Sequence, residues 1–285
     1  MAPTTSSPSR SRRLPCAGTN RPPVRAIIAA GTGAPGAQFS AIDRSLAERL
    51  ALPRAIAAPI LAYGVSGGPS LSHTVSLDLS LPGLAIAGLR AAVLDLAAIS
   101  ALTGRDFQLL IGRDVLRHLV VEADFPRGRA RFLTREAFRP ARDAITIPLR
   151  TKGGAPVVSV QIEDAPALDV LVDTGASGVL ALSTAAATQV GLLAPGREVS
   201  AAHSVSLGGL SLDRLVTART VRVGGMTLRD ADVQIYRAAA NAPAPSGLLG
   251  TGLFRRFRMG FDLAGERLVL VRPGLIIVPA AEPQS

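Results

Sequence analysis

Two blocks of sequence occur twice in the same order, and that repetition limits the fold more than any other feature of the chain. Ala30-Gly31-Thr32-Gly33-Ala34-Pro35-Gly36 lies over Val172-Asp173-Thr174-Gly175-Ala176-Ser177-Gly178 at an offset of 173 − 31 = 142, sharing Thr, Gly, Ala and the last Gly. Leu110-Ile111-Gly112-Arg113-Asp114-Val115-Leu116-Arg117-His118-Leu119 lies over Leu248-Leu249-Gly250-Thr251-Gly252-Leu253-Phe254-Arg255-Arg256-Phe257 at 250 − 112 = 138. That register runs on without a gap through Asp124 over Asp262 and Arg129 over Arg267. Offsets this close describe one unit used twice with small changes in loop length. With 285 residues, 48% of them hydrophobic and 18% charged, the chain is globular in composition and can bury two ordinary cores.

The second copy carries the chemistry. Val170-Leu171-Val172 predicts a buried strand that ends abruptly by delivering Asp173 into a turn. A carboxylate placed there costs several kcal/mol unless it is paired or hydrogen-bonded. A plain reading is a strand followed by an Asp-initiated turn. Asp-Thr-Gly-Ala-Ser behind a hydrophobic strand also resembles the active-site loop of aspartic peptidases, in particular the retropepsin-like kind. The resemblance implies an all-β, acid-protease-like fold, with two homologous half-barrels around a central cleft. It further implies a peptide or protein substrate, no cofactor and no metal, with Asp173, Thr174, Gly175 and Ser177 as the catalytic loop. It covers Val24 to Leu133 and Pro156 to Leu270. The chain then divides into a basic tail (1–22), a degenerate unit (23–135), a connector (136–150), a complete unit (151–274) and a last tail (275–285).

In such a fold each unit supplies one aspartate, and the two carboxyls share a proton, so that one acts as base and the other as acid. Here the partner loop is Gly31, Thr32, Gly33 and Pro35. Glycine offers no carboxyl, and Pro35 stands where the other loop has Ser177. By resemblance Thr32 and Thr174 brace the loops against each other. Gly112 and Gly250 end apolar strands expected to pass beside the loops, where only glycine allows close approach. Flap candidates are Tyr63 to Gly68, with Gly64, Gly67 and Gly68, and Ser204 to Gly209, with Gly208 and Gly209. Ser40 to Leu50 has a helix-like spacing through Ile42, Leu46 and Leu50, and short helices are expected over Arg113 to Leu119 and Thr251 to Phe257.

Other classes are weighed by what accompanies their signals. Gly31 to Gly36 spells G-x-G-x-x-G between a strand and a helix, the order of a dinucleotide site, but no Asp or Glu falls between Arg54 and Gly64 where the ribose acid belongs. The net charge of +10 raises nucleic acid or an anionic surface. No recognition motif accompanies it, and nucleic-acid binding is not expected. Cys16 alone makes neither a disulfide nor a metal cluster. The first 22 residues lack an apolar core for a secretory signal, and a transit-type peptide has weak support. No run of about 18 apolar residues predicts a membrane span, so a soluble protein is expected with its compartment open. The function therefore lies between an aspartic-type endopeptidase, weak or inactive because its dyad is incomplete, and a non-catalytic peptide-binding pseudopeptidase. A monomer is expected. A homodimer pairing two Asp173 loops must compete with the tethered first unit, whose effective concentration is near the millimolar range.

Overall fold

A computed structural model describes residues 26–28, 39–55, 60–62, 70–81, 84–103, 107–206, 209–238 and 245–272. The first part of the chain gives β1 (Ala26–Ile28), β2 (Ser40–Asp43), α1 (Arg44–Arg49), β3 (Ile60–Ala62), β4 (Ser70–Ser72), β5 (Thr74–Leu81), β6 (Leu84–Leu94), α2 (Leu96–Thr103), β7 (Leu109–Ile111), α3 (Arg113–Leu116), β8 (Val120–Asp124) and β9 (Arg129–Leu133). There follow β10 (Ile145–Pro148), β11 (Arg150–Lys152), β12 (Ala155–Ile162), β13 (Leu168–Val172), β14 (Leu180–Ser183), α4 (Thr184–Gln189), β15 (Ser200–Ser206), β16 (Gly209–Val223), β17 (Met226–Tyr236), β18 (Gly247–Leu249), α5 (Thr251–Phe254), β19 (Arg258–Asp262) and β20 (Arg267–Val271). The architecture is all-β, with short helices at the ends of strands.

One sheet runs β1-β7-β2-β6-β5, and within a larger sheet the series β13-β18-β14-β17-β16 has the same order. The senses also agree: parallel, antiparallel, parallel, antiparallel in both series. The larger sheet adds β11 and β12 on one side and β15 on the other, and a pairing of β12 with β16 closes six strands into a barrel. Val158, Val160, Ile162, Val170, Val172, Leu182, Ala218, Val221 and Val233 are each fully buried in one continuous apolar cluster. Alternation makes this possible, because every second residue of a strand faces the same side. Each such valine contributes about 1.5–3 kcal/mol by leaving water.

A third sheet, β10-β20-β19-β8-β9, joins strands from both parts of the chain. β8 and β19 run antiparallel, with Glu122 opposite Gly260. Since 260 − 122 = 138, that pair joins two positions that the repeat in the sequence aligns, at the same offset as Gly112 and Gly250. Phe138, buried with Val120 and Val269, covers the outer side of this sheet, and a Cβ on Gly260 would run into its ring. The segment expected as a connector thus carries both β10 and this cover.

The helix over Ser40 to Leu50 needs correction: Ser40–Asp43 is a buried strand, and the helix begins at Arg44. Asp43 caps it, its side chain accepting from the Ser45 and Leu46 amides, while its other oxygen accepts from the amides of Leu96 and Ala97. Helices α3 and α5 are also shorter than expected, ending at Leu116 and Phe254.

Outside the barrel, Glu163 ties a hairpin turn to the neighbouring strand. It accepts from the side chains of Arg197 and Arg219 and from the Arg219 amide. The Arg197 guanidinium, with the Arg219 groups, holds its carboxyl at about 2 against the opposing effect of burial. A carboxyl depressed in the folded state stabilises above its unfolded value and loses that contribution as pH falls through the folded one. Urea titrations from pH 5 to pH 2 should therefore show a shallower loss of stability in Glu163→Gln than in wild type. Identical slopes would contradict the brace.

Candidate active site

Asp173 is held by the sheet on one side and by its own turn on the other. Val172 pairs with Leu249, and the Asp173 amide donates to the Leu249 carbonyl at 2.9 Å. The chain then leaves the sheet, and the Gly175 amide donates to Asp173 Oδ1 at 2.7 Å. The residue is 2% exposed. Burial raises its pKa to about 7, the amide of Gly175 opposing the shift. The carboxyl therefore changes protonation near neutral pH, the range in which one group can serve as acid or base.

The loop is fixed by backbone contact with the strand beside it. Gly250 lies so close that a Cβ there would stand 2.5 Å from the Gly178 carbonyl oxygen and 2.6 Å from that of Ala176. The amide of Gly250 donates to Val179 at 3.0 Å, and that of Gly252 to Gly178 at 2.9 Å. Thr251 donates to the Ala176 carbonyl through both its amide and its hydroxyl, each at 2.8 Å. Ser177 is exposed and Thr174 is half-buried, while the backbone amides of Gly175 and Ala176 act on the Asp173 carboxyl.

Two residues of this neighbourhood escape a reading of the sequence. Thr251 lies in the repeated block and opens the expected short helix, but nothing in the sequence shows that its hydroxyl reaches Ala176. Tyr236, the last residue of β17, is 3% exposed, and its hydroxyl donates to the Pro245 carbonyl at 2.8 Å. Burial, and secondarily the charge of Asp173, push its phenol upward, so Tyr236 stays neutral beside the carboxyl. Its place at the end of an alternating strand gave no signal of that proximity.

In the first part of the chain, Gly112 repeats the approach of Gly250: a Cβ would stand 2.5 Å from the Phe39 carbonyl carbon and 2.7 Å from the Ser40 nitrogen. Asp114 accepts from the Ser40 amide and hydroxyl at 3.0 Å each, and that hydroxyl accepts from the Gly112 amide at 3.0 Å. Gly31, Thr32, Gly33 and Pro35 lie outside the described residues, as do Gly64, Gly67, Gly68 and Gly208. Gly209 begins β16, opposite Ser206.

The strand register adds a detail. Ile28 pairs with Ile111 as Val172 pairs with Leu249, an offset of 172 − 28 = 144 that differs by two from the offset of the aligned loops. Neither register supplies an acid, because residues 1–42 contain no Asp or Glu. The dinucleotide reading loses the start of its expected helix, since Ser40–Asp43 is the strand β2 and α1 begins at Arg44. Among the described residues there is no group of three or more His, Cys, Asp or Glu placed to hold a metal, and no helix is long and apolar enough to cross a membrane.

Residues 158–253, from β12 through Asp173 to α5, match a family profile described as aspartyl protease. A retropepsin-like aspartic protease from Rickettsia conorii is similar over 45% of this chain and 89% of its own, at 21% identity and a TM-score of 0.34. No curated protein matches the chain. The profile match and the strand order together give an all-β, acid-protease-like fold.

Gly250→Ala should destabilise the protein by about 1–3 kcal/mol, because its methyl group has no space. Gly178→Ala, whose Cβ would meet nothing within 4 Å, should be close to neutral. Equal thermal midpoints for the two variants would contradict the contact. For Asp173 the linkage has the opposite sign to Glu163: a raised folded-state pKa stabilises fully below the unfolded value of 3.8, and that contribution is lost as pH rises through about 7. Asp173→Asn should abolish this part of the slope in denaturant titrations between pH 4 and pH 8. A slope unchanged by the substitution would show that the carboxyl is solvated.

Proposed function

We propose that this protein is an aspartyl-protease-type, peptide-binding protein in which a duplicated unit keeps one catalytic carboxyl, Asp173, and that the single chain is a weak or inactive endopeptidase. The observation that carries this reading is the buried Asp173 at the end of β13, within the stretch that matches the aspartyl protease profile. In this reading residues 23–135 and 151–274 are the two units, joined by 136–150, and a peptide lies extended between them beside the flap candidates Gly64 to Gly68 and Gly208 to Gly209. The ionised Asp173 takes a proton from water as the water oxygen attacks the scissile carbonyl. The departing amine then needs a proton from a second acid. No carboxyl of residues 1–42 can give it.

The peptide-binding pseudopeptidase is the second reading, favoured by that same lack of an acid. Both are tested by assaying cleavage of an unstructured protein from acidic to neutral pH, at several protein concentrations, with wild type, Asp173→Ala, Ala29→Asp and Gly31→Asp. The expected result is little cleavage by wild type, none by Asp173→Ala, and a gain in one of the two aspartate variants. The register of β1 favours Ala29→Asp, the repeat in the sequence Gly31→Asp. Strong wild-type cleavage that neither variant increases would refute the incomplete dyad. Activity rising with the square of protein concentration would point to two copies pairing their Asp173 loops.

A further inference from the structure

Strand β18 is three residues long and lies between β13, which carries Asp173 at its end, and β14. So short a strand depends on what holds its ends. At one end Leu248 and Leu249 stand opposite Leu171 and Val172, and the Leu249 carbonyl takes the Asp173 amide. At the other end two successive carbonyls are held. That of Ser246 accepts from the Ser183 amide of β14 at 2.9 Å. Pro245 has no N–H, so its carbonyl is its one backbone group able to bond, and it accepts from the buried Tyr236 hydroxyl at 2.8 Å. Tyr236 belongs to β17 and pairs with Ser183, so its phenol reaches past β14 to the segment leading into β18. The start of that strand has no slack: a Cβ on Gly247 would stand 2.5 Å from the Ala181 carbonyl oxygen and 3.2 Å from Val170 Cγ1.

We infer that Tyr236 is a positioning residue for Asp173: through its bond to Pro245 it holds β18 beside β13 and so keeps the Asp173 carboxyl out of water. The inference rests on the reading of Asp173 as the one retained catalytic carboxyl, and it names what sustains that group's environment from the far end of the strand. Among the described elements around Asp173, β14, β18 and α5 carry no titratable side chain. Asp169 of β13 is paired with Arg150 and Lys152, and Arg229, Asp230 and Asp232 of β17 are exposed. Tyr236 is the group on which the charge of Asp173 acts.

The test is a carbon-13 titration of the Asp173 carboxyl in the whole chain, whose wild-type midpoint should lie at about 7. Tyr236→Phe keeps the ring and removes only the hydroxyl, which leaves the Pro245 carbonyl unmet and frees the start of β18. Water then reaches the carboxyl, and the midpoint should fall by at least about one unit. Thr184→Val is the control, because it removes a different bond of the same residue, that of the Thr184 hydroxyl to the Tyr236 carbonyl at 3.2 Å. It should leave the Asp173 midpoint in place. An equal fall in Thr184→Val would show that any loosening of this region has the same effect and would overturn the assignment. An unchanged midpoint in Tyr236→Phe overturns the inference and leaves the lone catalytic carboxyl standing, whereas a wild-type midpoint near the ordinary value of about 4 overturns both. The phenol gives a readout that needs no change at Tyr236: the chain has two tyrosines, so the Tyr236 Cζ signal is assigned by exclusion with Tyr63→Phe. That signal should follow the Asp173 transition with the same midpoint and lose it in Asp173→Asn. A Tyr236 signal that stays flat between pH 5 and pH 9 overturns the inference.

Discussion

The site depends on one close approach of two backbones. The strand end at Gly250 comes within contact of the carbonyls of Ala176 and Gly178, and everything distinctive about Asp173 follows from that contact. It stops the loop from opening to water, keeps the Gly175 amide on the carboxyl and leaves burial as the dominant influence on its protonation. Gly112 makes the corresponding approach to Phe39 and Ser40, so both sides retain the same mechanical device. They differ in what the device holds. On one side it presents a carboxyl; on the other, the preceding chain has no acid at all.

The pairing of β8 with β19 joins the two parts of the chain that carry these devices. An antiparallel pair whose central residues are equivalent by the repeat, Glu122 and Gly260, is what a twofold relation between units requires. Phe138 then seals the far side of the sheet over Gly260, which has no side chain. Two copies of the chain pairing through their Asp173 units would have to replace β8 by a second β19. The tethered strand opposes that exchange through its high local concentration.

Much of the second unit was legible in the sequence. Val157 to Ile162 and Leu168 to Val172 alternate or run apolar over strand-like lengths, and they form β12 and β13. The approach at Gly250 could be suspected because an apolar strand ended on glycine in both copies. The helix boundary failed because Ile42, Leu46 and Leu50 share a helical spacing by accident: Ile42 reaches the core from a strand and the other two from beyond the Asp43 cap. The register of β1 differs from the aligned repeat by two residues, an even shift that preserves the alternation of a strand and so leaves no trace in the apolar pattern. Tyr236 was illegible as a neighbour of Asp173, since its position is a property of the folded chain.

The central claim is that Asp173 is a lone buried carboxyl with no second acid to share its proton. Its most direct test is a carbon-13 NMR titration of the Asp173 side-chain carboxyl in the whole chain, assigned by its loss in Asp173→Asn. The account predicts one transition with a midpoint at about 7. Two coupled transitions, or a single midpoint near the ordinary aspartate value of about 4, would contradict it by revealing a partner acid or a solvated group.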